Sequence, residues 1–550
     1  MWRKLIALLL IIGISLLFFL NRTSVRAADI GVLDEQISGF QKFIDPLPIP
    51  PKIVVPRDVT DIDVSLTEFK AALHTDLPQT VEWGYNGTSP GPTIEVEKRQ
   101  KIRVHWKNEL PTTHVLKTPT GIEMGNDSSL PDVRNITHLH GAVVTESSPM
   151  DRQYNNDGWP DAWNVPGQVQ IAEYPNDQDA RILWYHDHAI GTTGRNVAAG
   201  LVGMYLIHDD YERSLNLPSG DYDVPLIIQS RGFNGDGSLY YSRMISAEYY
   251  GNTIAINGKL WPYMNVEPRK YRFRVLDASN ARAYALRLVD MANTQNPAPP
   301  FYQIGSDSGF LENTVVLNDP TSATPLELTL LPAERADIIV DFSKYAGHTF
   351  LLANNMRSDD PDSEIPLLQL MLFKVGTAVT HKDTSSLPMK MRHIVRMDPD
   401  KLKIAKTRQI VFGTVNMADG SPMLQLNGKS WTDPVEEKPV LGTTEVWELI
   451  NATQGMNHPF HIHLVQFQIL DRRPFDLQGY LTTGKVNYTG PAVAPDPNEM
   501  GWKDTVRVPA QEVTRIIMTF APYPGYYVYH CHILEHEDMD MMRPLQIVNP

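Results

Sequence analysis

Near the end of the chain runs His530-Cys531-His532-Ile533-Leu534-Glu535-His536, followed by Glu537, Met539, Met541 and Met542, and Cys531 is the only cysteine in 550 residues. In a strand successive side chains point to opposite faces, so His530 and His532 look one way and Cys531 the other. One short segment can therefore serve two metal sites back to back. A thiolate, an imidazole and a more distant thioether are ligands of a blue-copper centre, which also needs a second imidazole from elsewhere in the chain.

The other histidines supply it. Of seventeen, ten fall in four short clusters: His138-Leu139-His140, His186-Asp187-His188, His458-Pro459-Phe460-His461-Ile462-His463, and His530, His532 and His536. Every cluster contains His-x-His, which on a strand sets two rings on one side roughly 7 Å apart, a spacing suited to neighbouring metal ions. Eight inward imidazoles can hold three copper ions, three each for two ions and two for the third. Cys531, His458 and His536, with Met541 axial, form a set for a fourth ion on the other face of the last strand. Zinc competes for such donors, but structural zinc favours closed, cysteine-rich tetrahedral sites; one Cys, two His and a long Met favour copper.

Positioning these residues requires short strands, and the chain repeats one strand-rich unit three times. Asn86-Gly87, Asn257-Gly258 and Asn427-Gly428 each close an apolar strand and recur at intervals of 171 and 170 residues. After each comes an alternating strand closed by a further asparagine: Asn108, Asn280 and Asn451. With no long helical period, each unit reads as a Greek-key β-sandwich or barrel. The expected organisation is a signal peptide at 1–27 and three domains at 28–215, 216–375 and 376–550. Comparing the copies, Asp187 stands where Cys531 does, Thr192 where His536 does and Asn135 where His458 does. The middle copy carries no histidine at the matching stretches and is expected to be architectural.

A formal net charge of −15 argues against a nucleic-acid surface. Arg3 and Lys4, the apolar run Leu5 to Leu20 and Val25-Arg26-Ala27 read as an export signal, so the protein is expected outside the cytoplasm: secreted, periplasmic or at the cell surface. It would meet a membrane only if that segment stays uncleaved, and a monomer is expected.

With these motifs in hand, the sequence resembles the multicopper oxidases, and within them the bacterial spore-coat laccase and bilirubin oxidase group. The carrying motifs are His138-Leu139-His140-Gly141, Trp184-Tyr185-His186-Asp187-His188, His458 to Leu464, Asp471 to Asp476, Gly501-Trp502-Lys503-Asp504-Thr505 and the run from His530 to Pro544. The resemblance implies three cupredoxin-like domains and four copper ions. It assigns type 2 copper to His138 and His461, the type 3 pair to His140, His186, His188, His463, His530 and His532, and type 1 copper to His458, Cys531 and His536 with Met541 axial. It further implies one-electron oxidation of a small-molecule reductant, an electron path through Cys531, and reduction of dioxygen to two waters. Glu537 is implied as proton donor and Asp157 as a second acid near the type 2 site, although extra residues between Gly141 and Asp157 leave that loop's register open.

The copper motifs do not choose the reductant. Phenols, aromatic amines or bilirubin-like tetrapyrroles are the first reading, and cuprous, ferrous or manganous ions the second, with the acidic loop Asp359 to Glu364 able to attract cations. A copper-free scaffold that only binds partners would show degenerate ligands, and none is degenerate here.

Overall fold

A computed structural model describes residues 40–116, 130–145, 150–241, 248–354, 369–416, 420 and 422–550. The expected export segment and the acidic loop at 359–364 lie outside these residues. The architecture is all-β: the described residues form six sheets, each drawn from one third of the chain. The first third forms a five-stranded and a four-stranded sheet, the middle third a seven-stranded and a five-stranded sheet, and the last third a five-stranded and a four-stranded sheet. Each pair of sheets closes over its own apolar core. Among the described residues no helix is long and apolar enough to cross a membrane.

Alternation explains the strands. In Ile102–Asn108, Ile102, Val104 and Trp106 are buried in the first core. The intervening Arg103 and Lys107 face outward onto Asp61 and Asp63 of the parallel neighbour at 2.9 and 2.7 Å. The strands that carry the histidines behave differently, being buried on both faces. In Arg181–Asp187, Leu183 and Tyr185 enter the first unit's core. Ile182 and Trp184 instead enter a separate cluster with Ile227, Leu276 and Ala333 of the middle unit and Leu534 of the last. By the period of two, His186 and His188 share this inter-unit face. In Gly525–Cys531 the phase is equivalent: Tyr527, Tyr529 and Cys531 point into the last unit's own core, which leaves His530 and His532 on the other side.

The repeat is physical. All three Asn-Gly pairs have positive φ at both residues, the signature of a type I′ hairpin turn. Each asparagine also accepts a backbone N–H from the adjoining strand: Asn86 from Ser65, Asn257 from Ile227 and Asn427 from Val411. The second set of asparagines needs a correction. Strand register aligns Asn108 opposite Leu66 and Asn451 opposite Phe412, but the middle unit places Asp277, not Asn280, opposite Ile228. Asp277 accepts the N–H of Ser279 just as Asn108 and Asn451 accept those of Leu110 and Thr453. Either an amide or a carboxylate oxygen can close this turn, so matching by residue type slipped three positions.

Candidate metal centre

The outer set gathers around Cys531. His458 Nδ1 lies 3.4 Å and His536 Nδ1 3.6 Å from the sulfur, and all three residues are fully buried. The chain turns back to make this possible. After the strand, the short helix Leu534–Met539 carries His536, and Asp540 with φ of 124° ends it. Met541 then donates its N–H to the His536 carbonyl at 2.9 Å and accepts that of Cys531 at 3.0 Å. Its side chain is buried in the same core as the sulfur. The outer ring nitrogens are engaged: His458 Nε2 with the Thr453 hydroxyl at 3.1 Å, and His536 Nε2 with Glu248 Oε1 at 3.1 Å.

On the opposite face eight buried imidazoles converge from the first and last units. Their donor atoms fall into compact groups: His140, His186 and His532; His188, His463 and His530; and His138 and His461 beside His140. His138 stacks on His463 with centroids 3.9 Å apart, and His140 on His461 at 3.7 Å. Paired registers fix the rows, His138 opposite His186 and His461 opposite His530.

The ring nitrogens fit bound cations. His138, His186, His461 and His463 each engage Nδ1 with an oxygen: the Asp157 carbonyl, and the Asp187 carbonyl at 2.7 Å, the Asp504 carbonyl at 2.8 Å and Asp157 Oδ2 at 2.8 Å, respectively. Their Nε2 atoms are buried with no hydrogen-bond partner among the described residues, as are His140 Nδ1 and both nitrogens of His532. His188 Nε2 faces His530 Nε2 at 3.3 Å. So many buried lone pairs aimed inward are costly unless positive charge meets them. Burial pushes His138, His140, His186, His188, His461, His463 and His532 below the usual imidazole range, His186 to about 3 and His188 to about 4, so these rings are neutral, as metal binding requires. Burial pushes the Cys531 thiol up, so a thiolate there calls for an adjacent cation. These donors suit copper at both faces, imidazole inside and a mixed thiolate and imidazole set outside.

The expected carboxylates border the inner group. Glu537, buried, sets Oε2 3.1 Å from His530 Nδ1 and Oε1 3.7 Å from His188 Nδ1. Burial alone would raise its pKa, but His530 and His188 hold it down, to about 2. Asp157, also buried, contacts His463 by its carboxylate and His138 by its carbonyl, which fixes the register of the loop before it from Met150 onward; residues 146–149 lie outside the described residues.

The first unit holds the outer set's counterpart without its ligands. Thr137 opposite Asp187 matches Phe460 opposite Cys531, as expected. The match of Thr192 to His536 fails. Gly200, with φ of 124°, ends the helix Thr193–Ala199 as Asp540 ends Leu534–Met539, and Leu201 N–H bonds the Asn196 carbonyl as Met541 N–H bonds that of His536. Asn196 is therefore the counterpart of His536 and Leu201 that of Met541. Counting from the strand failed because the first unit's loop before its helix is longer. Asn196 hydrogen-bonds Asp187 and the buried His114, filling with neutral and acidic groups the place that sulfur and imidazole take in the last unit.

Three neighbours carried no assigned role in the sequence: Glu248 on His536, and Arg335 and Asp504 beside His140. Asp504 adjoins Thr505 in a noted motif. Glu248 and Arg335 come from the middle unit, where no spacing signals them.

Comparison with known proteins agrees with this geometry. Family models described as multicopper oxidase match residues 401–550 and, in two overlapping pieces, 68–132 and 121–212. The chain is 44% identical over 538 residues to a laccase of Bacillus subtilis, covering 93% of this chain and 99% of the relative. It is 34% identical over 522 residues to a bilirubin oxidase of Albifimbria verrucaria, covering 92% and 81%. The structure of a multicopper oxidase from Aquifex aeolicus superposes with a TM-score of 0.72 at 27% identity, covering 92% of this chain and 99% of that one.

Proposed function

Because this chain belongs to the multicopper oxidase family, we propose that it oxidises phenols, aromatic amines or bilirubin-like tetrapyrroles and passes their electrons to dioxygen. It is a copper-dependent oxidoreductase built on three cupredoxin-like domains. In our reading His458, Cys531 and His536, with Met541 axial, hold type 1 copper; His138 and His461 hold type 2; and His140, His186, His188, His463, His530 and His532 hold the type 3 pair. When bound, the four copper ions supply one-electron oxidation at the outer set and reduction of dioxygen to water at the inner one.

The protein's own residues do the rest. Cys531 joins the two faces covalently, since its sulfur is bonded through Cβ and Cα to the backbone that runs directly to His530 and His532. Its carbonyl also accepts from His530 Nδ1 at 3.0 Å. Glu537 holds a proton site at its carboxylate between His530 and His188, and Asp157 orients His463 through Oδ2. The single observation that carries this reading is the opposition of a Cys-His-His group and eight convergent imidazoles across one strand.

The same reading divides the chain at 1–27, 28–215, 216–375 and 376–550, and makes it an exported monomer. Oxidation of cuprous, ferrous or manganous ion is a second reading, favoured by the Glu248 carboxylate on the outer nitrogen of His536. A panel of reductants in an oxygen electrode separates them: uptake with phenols and aromatic amines is expected, and uptake with the metal ions alone would replace the first reading with the second.

A further inference from the structure

The middle domain carries none of the ligands assigned above, yet one of its side chains reaches the inner set. Arg335 is fully buried. Its Nη1 and Nη2 donate to the two oxygens of Asp504 at 2.8 and 2.6 Å. Its Nε donates to the Ile182 carbonyl at 3.1 Å, on the strand that leads into His186 and His188. Its remaining bonds go to the carbonyls of Ala333 and Asp307 at 2.9 and 3.1 Å. One planar fork thus touches the first, middle and last domains at once.

Asp504 passes this grip on to the histidines. Oδ1 lies 3.1 Å from His140 Nε2, and the Asp504 carbonyl accepts from His461 Nδ1 at 2.8 Å. Among the inner rings that engage an oxygen of the described residues, His140 is distinctive. It engages Nε2, so that Nδ1 is the nitrogen left facing the cluster, whereas His138, His186, His461 and His463 engage Nδ1 and leave Nε2. A carboxylate accepting from one ring nitrogen fixes the tautomer and aims the other. Gly141 provides a second, independent sign that the spot is built for this pair. A Cβ there would lie 2.6 Å from Asp504 Oδ2, 2.9 Å from Leu183 Cδ2 and 3.0 Å from Arg335 Nη2, and its φ is +84°.

We propose that Arg335 is a positioning residue of the copper cluster, acting through Asp504 to hold His140 and His461 in the orientation that ligation needs. The middle domain then contributes to the site as well as spacing its neighbours. The proposal rests on the ligand assignment above, and its test separates the two. Copper per chain, the type 2 electron paramagnetic resonance signal and the blue absorption of the Cys531 site are measured in wild type, Arg335→Met and Arg335→Lys. Wild type with four coppers and blue colour upholds the ligand assignment; fewer, or no blue colour, overturns that assignment and with it the proposal.

Given a sound wild type, both variants are expected to stay blue, because the type 1 set lies inside the last domain. Cluster copper affinity should fall about 10- to 100-fold with an altered type 2 signal. Lysine keeps the charge but lacks the fork, so it should not rescue. Full copper with an unchanged type 2 signal in Arg335→Met, or full rescue by lysine, overturns the proposal. Should Arg335→Met yield no blue protein, Asp504→Asn, of the same shape, decides by the same readings: an altered type 2 signal supports the proposal and an unchanged one overturns it.

Discussion

Cys531 turns its sulfur toward His458 and His536 and its carbonyl toward His530, so a single residue touches both faces of the last strand. That division follows from the period of two and was legible in the sequence, because a lone cysteine between two histidines has one face for each. Glu248 was not legible. It belongs to a distant segment of the middle domain, and only the packing of that domain on the last one brings its carboxylate to His536. Glu248→Gln keeps the shape and removes the charge. If phenols are the reductants, their turnover should stay within roughly threefold of wild type, a change of under about 1 kcal/mol in transition-state binding. A loss of more than about tenfold with ferrous ion, alongside unchanged phenol turnover, would favour the metal-ion reading instead.

Among elements, the helix Leu534–Met539 and its counterpart Thr193–Ala199 show what sequence comparison captures and what it misses. The His-x-His strands align by their own spacing, since register in a sheet admits no one-residue slip without reversing every side chain. The helices align by where they end, a backbone geometry shared by Gly200 and Asp540, which residue type conceals. The short helix Asp210–Ser214 at the first junction makes a further prediction. Its Glu212 is buried and accepts from Arg272 at 2.8 Å and Arg274 at 2.9 Å, both of the middle domain, and from His208 at 2.6 Å. Burial would raise its pKa, but Arg274, His208 and Arg272 hold it far below the carboxylate range. A depressed pKa stabilises the fold above the unfolded value near 4.3, and that contribution is lost as pH falls below it. Glu212→Gln should therefore cost about 3–5 kcal/mol at pH 7, read from denaturant unfolding, with a smaller further loss on acidification than wild type shows. Equal stability at pH 7 would refute the assigned role of this junction.

For the whole molecule, three all-β domains were readable from a repeat of 170 and 171 residues, and the convergence of the inner histidines from their pairing. The polar seams between domains were not, because Arg335, Asp504 and Ile182 are far apart in sequence and share no period. The inner histidines come from both sides of such a seam, so copper held by them would clasp the first and last domains together. Removing it with a chelator should lower the thermal midpoint, by mass action, while far-ultraviolet circular dichroism keeps its strand signature, since the sheets are tied by backbone ladders within each domain. An unchanged midpoint would mean that the ions bridge nothing. In the proposed reaction electrons cross from the outer set to the inner one through Cys531. The most direct measurement is oxygen uptake with a phenol, alongside copper content and absorption, in Cys531→Ser. The variant is expected to hold about three coppers per chain, to show no blue colour and to turn over at a rate reduced at least roughly 100-fold. Uptake at the wild-type rate in that variant would contradict this electron path.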